Sequence, residues 1–187
     1  MDKYCAFLRG VNVNGKTMKM EDARSAFEMA GMTDVVSVLA SGNIVFSAAD
    51  IAEAAERPQD TLRKLLEQAL SARFGSQVSL FVKNADEVAD MLSSSPFAED
   101  PDSQVYVFIC EPGFERILLD EFGKIVPAGK EFAEISGGFF YWQCAKGMTL
   151  DSGFSKILGR KNMKEKFTSR NLNTIAKVSA KMSMAHE

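Results

Sequence analysis

The sequence predicts an α+β protein built from two tandem split β-α-β units with an added C-terminal helix. Three observations lead there. Apolar strand-like runs and helical periodicities alternate as β-α-β-β-α-β over the first 84 residues. The same grammar returns after residue 103. The turns "SGN" and "GG" between the second and third strands of each half are too short for a parallel crossover, so those strands must pair antiparallel. This is the ferredoxin-like plan, repeated in layout rather than in residues. The expected boundaries are an N-terminal unit over 1–84, a linking helix and loop over 85–103, and a second unit with the terminal helix over 104–187.

Each element has a local reason. "KYCAFLRG" is an apolar strand. In "KMEDARSAFEMAG", Met20, Ala23, Phe27 and Ala30 recur at helical spacing, and Gly31 supplies a left-handed stop. "DVVSVLA" is β-branched, "SGN" turns the chain, and "IVFSA" follows as a strand. Leu62, Leu65, Leu66, Ala69 and Leu70 form one helical stripe that ends at Gly75, before the strand "QVSLFVK". Asn84 with Glu87 makes a capping box for the linking helix, and "SSPFAEDPDS" reads as the boundary loop. In the second half "QVYVFIC", "EFAEIS", "FFYWQCA" and "EKFTS" are strands. "GFERILLDEF" is a helix with Phe114, Ile117, Leu118 and Phe122 inward, "SGFSKILG" a short helix, and "NLNTIAKVSAKM" the closing one.

Composition narrows the chemistry. Apolar residues make up 46% and charged residues 25%, ordinary for a globular protein. No run is long enough to span a membrane, so no membrane partner is expected. The start "MDKYCAFLRG" lacks the layout of a secretory signal. Cys5, Cys110 and Cys144 lie far apart in apolar runs, as free thiols do in a reducing compartment; a cytoplasmic location is expected. The sole histidine, His186, is next to last, which argues against His-based acid/base catalysis and His zinc sites; no metal and no cofactor are implied. Charge is uneven. From Lys156 onward eight Lys/Arg stand against two Glu, a balance of +6, so a net −3 leaves −9 for the first 155 residues. A solvated basic face explains that, and so does an anion or nucleic-acid surface.

Residues 10–17, "GVNVNGKT", match the spacing of a phosphate-binding P-loop. A P-loop NTPase needs a parallel sheet and a Lys-Thr already inside the helix's first turn. Here the turn chemistry demands antiparallel strands, and the helix begins near Glu21. The loop nonetheless carries donors. The split unit puts the end of its first strand beside the turn between its second and third. Arg9, Asn12, Asn14, Gly15 and Lys16 thus approach Ser41, Gly42 and Asn43, a composition suited to phosphate or carboxylate. A purely structural role is the competing account, since Asn and Ser routinely bond nearby backbone in turns.

"FLRGVNVNGK", "SGNIVF", "SSPF", "GFSKIL" and "TSRNLNTIAKV" occur in the order seen in a family of uncharacterised bacterial proteins, and the chain resembles domain-of-unknown-function family 1697 over nearly its whole length. The resemblance implies two ferredoxin-like units in tandem and no established activity. It adds Arg170, Asn171, Asn173 and Thr174 to the candidate ligand residues. Gly10 also matches the family. The chain departs from the family at Asn14, where Gly is usual, at Thr17, at Ala40 in place of Gln, and at Leu172 in place of Trp. The late motif also has a plain reading, with Asn171 capping the last helix.

Three functions compete on this sequence. The first is a small-anion binding protein or enzyme using the N-terminal loop edge, with Lys or Tyr as the available catalytic side chains and no carboxylate pair at useful spacing. Asp34 and Asp151 stand at element starts, where caps are expected. The second is single-stranded RNA binding by Tyr106, Phe108, Phe139, Phe140, Tyr141 and Trp142 on the second unit's sheet. The third is a non-catalytic interaction protein. Nothing in the residues fixes catalytic groups or an oligomeric state.

Overall fold

Alternation in "KYCAFLR" decides the centre of the first sheet. Strand β1 (Lys3–Arg9) sends Tyr4, Ala6 and Leu8 to one face and Cys5 and Phe7 to the other, and all five are buried. A strand apolar on both faces belongs in the middle. It pairs antiparallel with β5 (Asn43–Ser47) on one side and β6 (Ser79–Asn84) on the other. Strand β4 (Thr33–Ser37) completes the order β4-β5-β1-β6. The computed structural model describes residues 3–10, 12–13, 16–125, 131–149 and 151–184, with the backbone alone at 12, 13, 16, 17 and 52.

Two helices cover the Tyr4/Ala6/Leu8 face. Helix α1 (Met20–Met29) contributes Ala23 and Phe27, and α3 (Pro58–Phe74) contributes Leu62, Leu66 and Leu70, all in one core with Ile44 and Phe46. The Phe27 ring meets Phe46 edge-on at 5.4 Å. Pro58 opens α3, where its missing N–H costs nothing, and Gly75 closes it at φ 66°. A short helix, α2 (Ala49–Ala54), precedes α3.

The expected strand 34–40 is shorter than its apolar run. It stops at Ser37, and the turn takes 38–42, because Leu39 adopts φ 60°. Asp34 caps nothing. It sits at φ 52° in an irregularity of register between Thr33 and Val36, and its carboxylate accepts the Ser47 hydroxyl at 3.0 Å. The capping box is present. Glu87 N–H donates to Asn84 Oδ1 at 2.9 Å and Asn84 N–H to Glu87 Oε2 at 3.0 Å, opening α4 (Ala85–Ser93).

The second sheet is built likewise. Strands β7 (Ser103–Cys110), β8 (Phe132–Ser136), β9 (Phe139–Ala145) and β10 (Phe167–Asn171) stand in the order β10-β7-β9-β8, all antiparallel. Taking each sheet's strands by rank along the chain, both read fourth, first, third, second. Helix α5 (Phe114–Gly123) joins the first two strands, and α6 (Gly153–Leu158) and α7 (Lys161–Lys164) lead to the last. Phe108, Phe140, Trp142, Leu118 and Phe154 share one core; Phe154 meets Trp142 at 5.5 Å and Phe122 at 5.2 Å. Ile117, expected inward, is exposed, because the stripe of α5 runs through Phe114 and Leu118. Ser152, rather than Asp151, caps α6 by accepting the Ser155 N–H at 3.0 Å. The β8–β9 turn uses Gly137 and Gly138 at φ 56° and 82°, the signs that a two-residue hairpin demands.

Helix α8 (Leu172–Ser183) closes the described chain. Met1–Ala89 with Ala176–Glu187 form one compact unit, and Asp90–Ile175 the other. Residues 176–187, expected with the second unit, therefore group with the first, and Lys3 Nζ donates to the Met184 carbonyl.

Candidate functional site

The loop edge of the first unit is built on one backbone bond. Leu8 N–H donates to the Gly42 carbonyl at 2.7 Å, and Phe7 lies in register with Asn43. The 38–42 turn is thereby held beside Arg9 and Gly10 at the end of β1. Gly10 at φ 67° and Gly42 at φ 76° take a backbone conformation strained for other residues. Asn43 is fully buried and works for the turn. Its Nδ2 donates to the Val38 carbonyl and to Ser41 Oγ, both at 2.9 Å, while Val38 N–H returns to the Asn43 carbonyl at 2.8 Å. Ser41 is exposed and, while accepting from Asn43, keeps its own hydroxyl proton to donate outward. Of the expected donors here, Asn43 is thus a turn-builder and Ser41 a rim group.

Beyond Gly10, β2 (Asn12–Val13) and β3 (Lys16–Thr17) form a small antiparallel ribbon, with Asn12 opposite Thr17 and Val13 opposite Lys16. Asn14 and Gly15 lie outside the described residues, as do the side chains of Asn12 and Lys16. The ribbon disposes of the P-loop match. Lys16 and Thr17 are in a strand, α1 begins only at Met20, and the sheet has no parallel pair among its described strands.

The late motif belongs to the second unit. Arg170 is buried on β10, where its Nη1 donates to Thr168 Oγ1 at 2.7 Å and to the Ser169 carbonyl at 2.8 Å. Asn171 Oδ1 accepts the Asn173 N–H at 2.9 Å, a cap on α8, whose first turn holds Thr174 and no acidic residue. Asn171, Leu172 and Asn173 also line an open groove of about 550 Å³, together with the loop from Phe97 to Pro101 and Lys146. Sequence reading missed that groove. It took the Phe97–Pro101 loop for a linker, although Asp100 marks a built turn by accepting the Asp102 N–H at 3.0 Å.

The aromatics of the second sheet are inward. Phe108, Phe140, Tyr141 and Trp142 are buried, and Tyr106 and Phe139 are half-buried. Tyr106 stacks on Trp142 at 5.6 Å, and Trp142 Nε1 donates to the buried Glu131 at 3.3 Å. The Tyr141 hydroxyl donates to the Met91 carbonyl at 3.0 Å; burial, with a smaller push from Asp90, raises its pKa to about 12. Burial likewise pushes the Cys144 thiol up, away from reactivity. Among the described residues no group of three His, Cys, Asp or Glu is arranged to hold a metal, and no helix is long and apolar enough to cross a membrane.

These features define an α+β protein of two four-stranded antiparallel sheets, with a polar loop corner in one unit and a mixed-charge groove in the other. Residues 1–141 match the family described as "Protein of unknown function (DUF1697)", and the chain belongs to it. The motifs "GFSKIL" and Arg170–Thr174 fall beyond the matched residues. Among solved structures, the conserved bacterial protein SP0830 from Streptococcus pneumoniae is similar, with 19% identity and a TM-score of 0.74. The alignment covers 97% of this chain and 99% of that one, so the likeness is one of fold. No curated protein matches the sequence.

Proposed function

We propose that the protein binds a small anionic ligand, a phosphate or a carboxylate, at the loop edge of its first unit. Arg9, Lys16 and Ser41 supply the charge and donors, Asn12, Asn14 and Gly15 the loop that carries Lys16, and Gly10 and Gly42 the close backbone approach. Asn43 holds the turn in place. The observation that carries this reading is the Leu8–Gly42 bond of 2.7 Å, which draws the 38–42 turn against the strand end bearing Arg9. The reading treats both units as ferredoxin-like and in tandem, in a cytoplasmic protein. Arg170, Asn171, Asn173 and Thr174 belong to the second unit, and Arg170 donates to acceptors on its own strand.

Thermal unfolding across inorganic phosphate, pyrophosphate and small carboxylates tests it. A ligand at a hundredfold excess over its Kd adds about 2.7 kcal/mol, and Arg9→Ala abolishes the resulting rise in Tm. No rise with any of these anions, or a rise that survives Arg9→Ala, ends the reading. Single-stranded RNA binding has weaker support, because four of the six aromatics it would stack on are buried. It regains ground only if mixed RNA binds with a steep salt dependence.

A further inference from the structure

The ladder between β7 and β10 stops early. Asn171, opposite Tyr106, is the last β10 residue in register, and the chain then turns into α8. Strand β7 begins three residues before Tyr106, and on its other side Ser103, Gln104 and Val105 pair with Ala145, Cys144 and Gln143 of β9. On the β10 side this stretch has no strand beside it among the described residues. Two bonds fix which backbone groups face that side. Glu111 N–H donates to the Lys166 carbonyl at 2.9 Å, toward β10, and Lys146 N–H to the Asp102 carbonyl at 3.0 Å, from the β9 side. Odd-numbered residues of β7 therefore turn their main-chain groups to the β10 side. The Ser103 carbonyl and the Val105 N–H face it together, the pair with which one extended residue can bond.

The groove of about 550 Å³ lies along this edge. Phe97, Glu99 and Asp100 line it from the preceding loop, Val105 from the strand, and Lys146 and Asn173 from the other walls. We propose that the groove binds a short, extended, zwitterionic peptide of about three residues beside β7, where β10 leaves off. An extended residue spans about 3.3 Å, so a tripeptide of roughly 10 Å matches the three-residue edge. Main-chain bonds to the edge give sequence-tolerant affinity, and the side pockets add selectivity. Glu99 and Lys146 put one charge of each sign in the lining, which favours a ligand that carries both charges over a simple anion, unlike the corner of the first unit.

Trialanine titrated into the ¹⁵N-labelled full chain tests this. Saturable shifts are expected at the amides of Ser103–Val105 and of Leu172–Asn173. Acetylating the peptide's amino terminus weakens binding roughly threefold to fivefold, the scale of an exposed ion pair. Methylating its central amide nitrogen, which removes the donor to the Ser103 carbonyl, weakens it by about three- to tenfold. Any of three results overturns the proposal: no saturable shift at millimolar trialanine, undiminished binding of the N-methylated peptide, or inorganic phosphate moving these signals where trialanine does not. A fourth is movement of the same signals on concentrating the protein alone, since the edge is then taken by a second copy.

Discussion

In the first unit residues 10–19 connect the first strand to its helix; in the second, 111–113 suffice. The turn between the second and third strands is 38–42 in one and Gly137–Gly138 in the other. Yet both sheets have the same strand order and a strand buried on both faces at their centre. The second unit demonstrates how little connecting chain this arrangement needs. The longer loops of the first unit are therefore not required by the sheet; the 38–42 turn, with Ser41, is bonded beside the end of β1, and the 10–19 connection, with Lys16, starts from that same end at Arg9. The second unit differs in another way: its last strand ends short of its neighbour, which opens a groove instead of a loop corner.

The comparison can be broken at the cores first. Phe154 contacts Trp142, Phe140, Phe108 and Phe122, and Phe154→Ala is expected to destabilise by about 3–5 kcal/mol in urea unfolding. A loss below about 1 kcal/mol would mean that the rings around Phe154 do not hold the second core together. The turns come next. A Cβ on Gly137 would lie 2.2 Å from Ser94 Oγ at φ 56°, whereas one on Gly138 meets nothing within 4 Å. Gly137→Ala should cost about 1–3 kcal/mol and Gly138→Ala about 1. Equal costs would show that the approach of Ser94 does not constrain the hairpin.

The last effect is confined to alkaline pH and vanishes at neutrality. Tyr141 titrates near 10 unfolded and about 12 folded. Below pH 10 it is protonated in both states and contributes no pH dependence. Between pH 10 and 12 only the unfolded chain loses the proton, so stability falls as pH rises, by up to about 2–3 kcal/mol at 1.36 kcal/mol per unit. Tyr141→Phe removes that slope from alkaline unfolding curves. A variant with the parent's slope would place the responsible group elsewhere.

What could be read in the residues was local. The Asn84/Glu87 box and the Gly137–Gly138 turn are decided by neighbours within three positions, and both formed as read. The length of the 38–42 turn was hidden, because Leu39 takes a left-handed conformation and the buried Asn43 side chain ties down Val38 five residues back. Ile117 misled because it lies next to the stripe that Phe114 and Leu118 set. That the 38–42 turn lies beside the end of β1 follows from strand order, while the burial of Asn43 in service of that turn does not. The groove was not foreseen: it depends on where β10 stops against β7, a matter of pairing between segments about 65 positions apart, which no local pattern encodes.

The membership of Ala176–Glu187 in the opening unit has a bearing on biosynthesis. A ribosome delivers residues 1–89 early, but the segment that completes their unit emerges only after the whole of 90–175. Folding from the amino end forward, the usual order for multi-unit chains, is here interrupted: all four strands of the β4-β5-β1-β6 sheet are made by Asn84, but their unit waits for its last segment while the other half is translated.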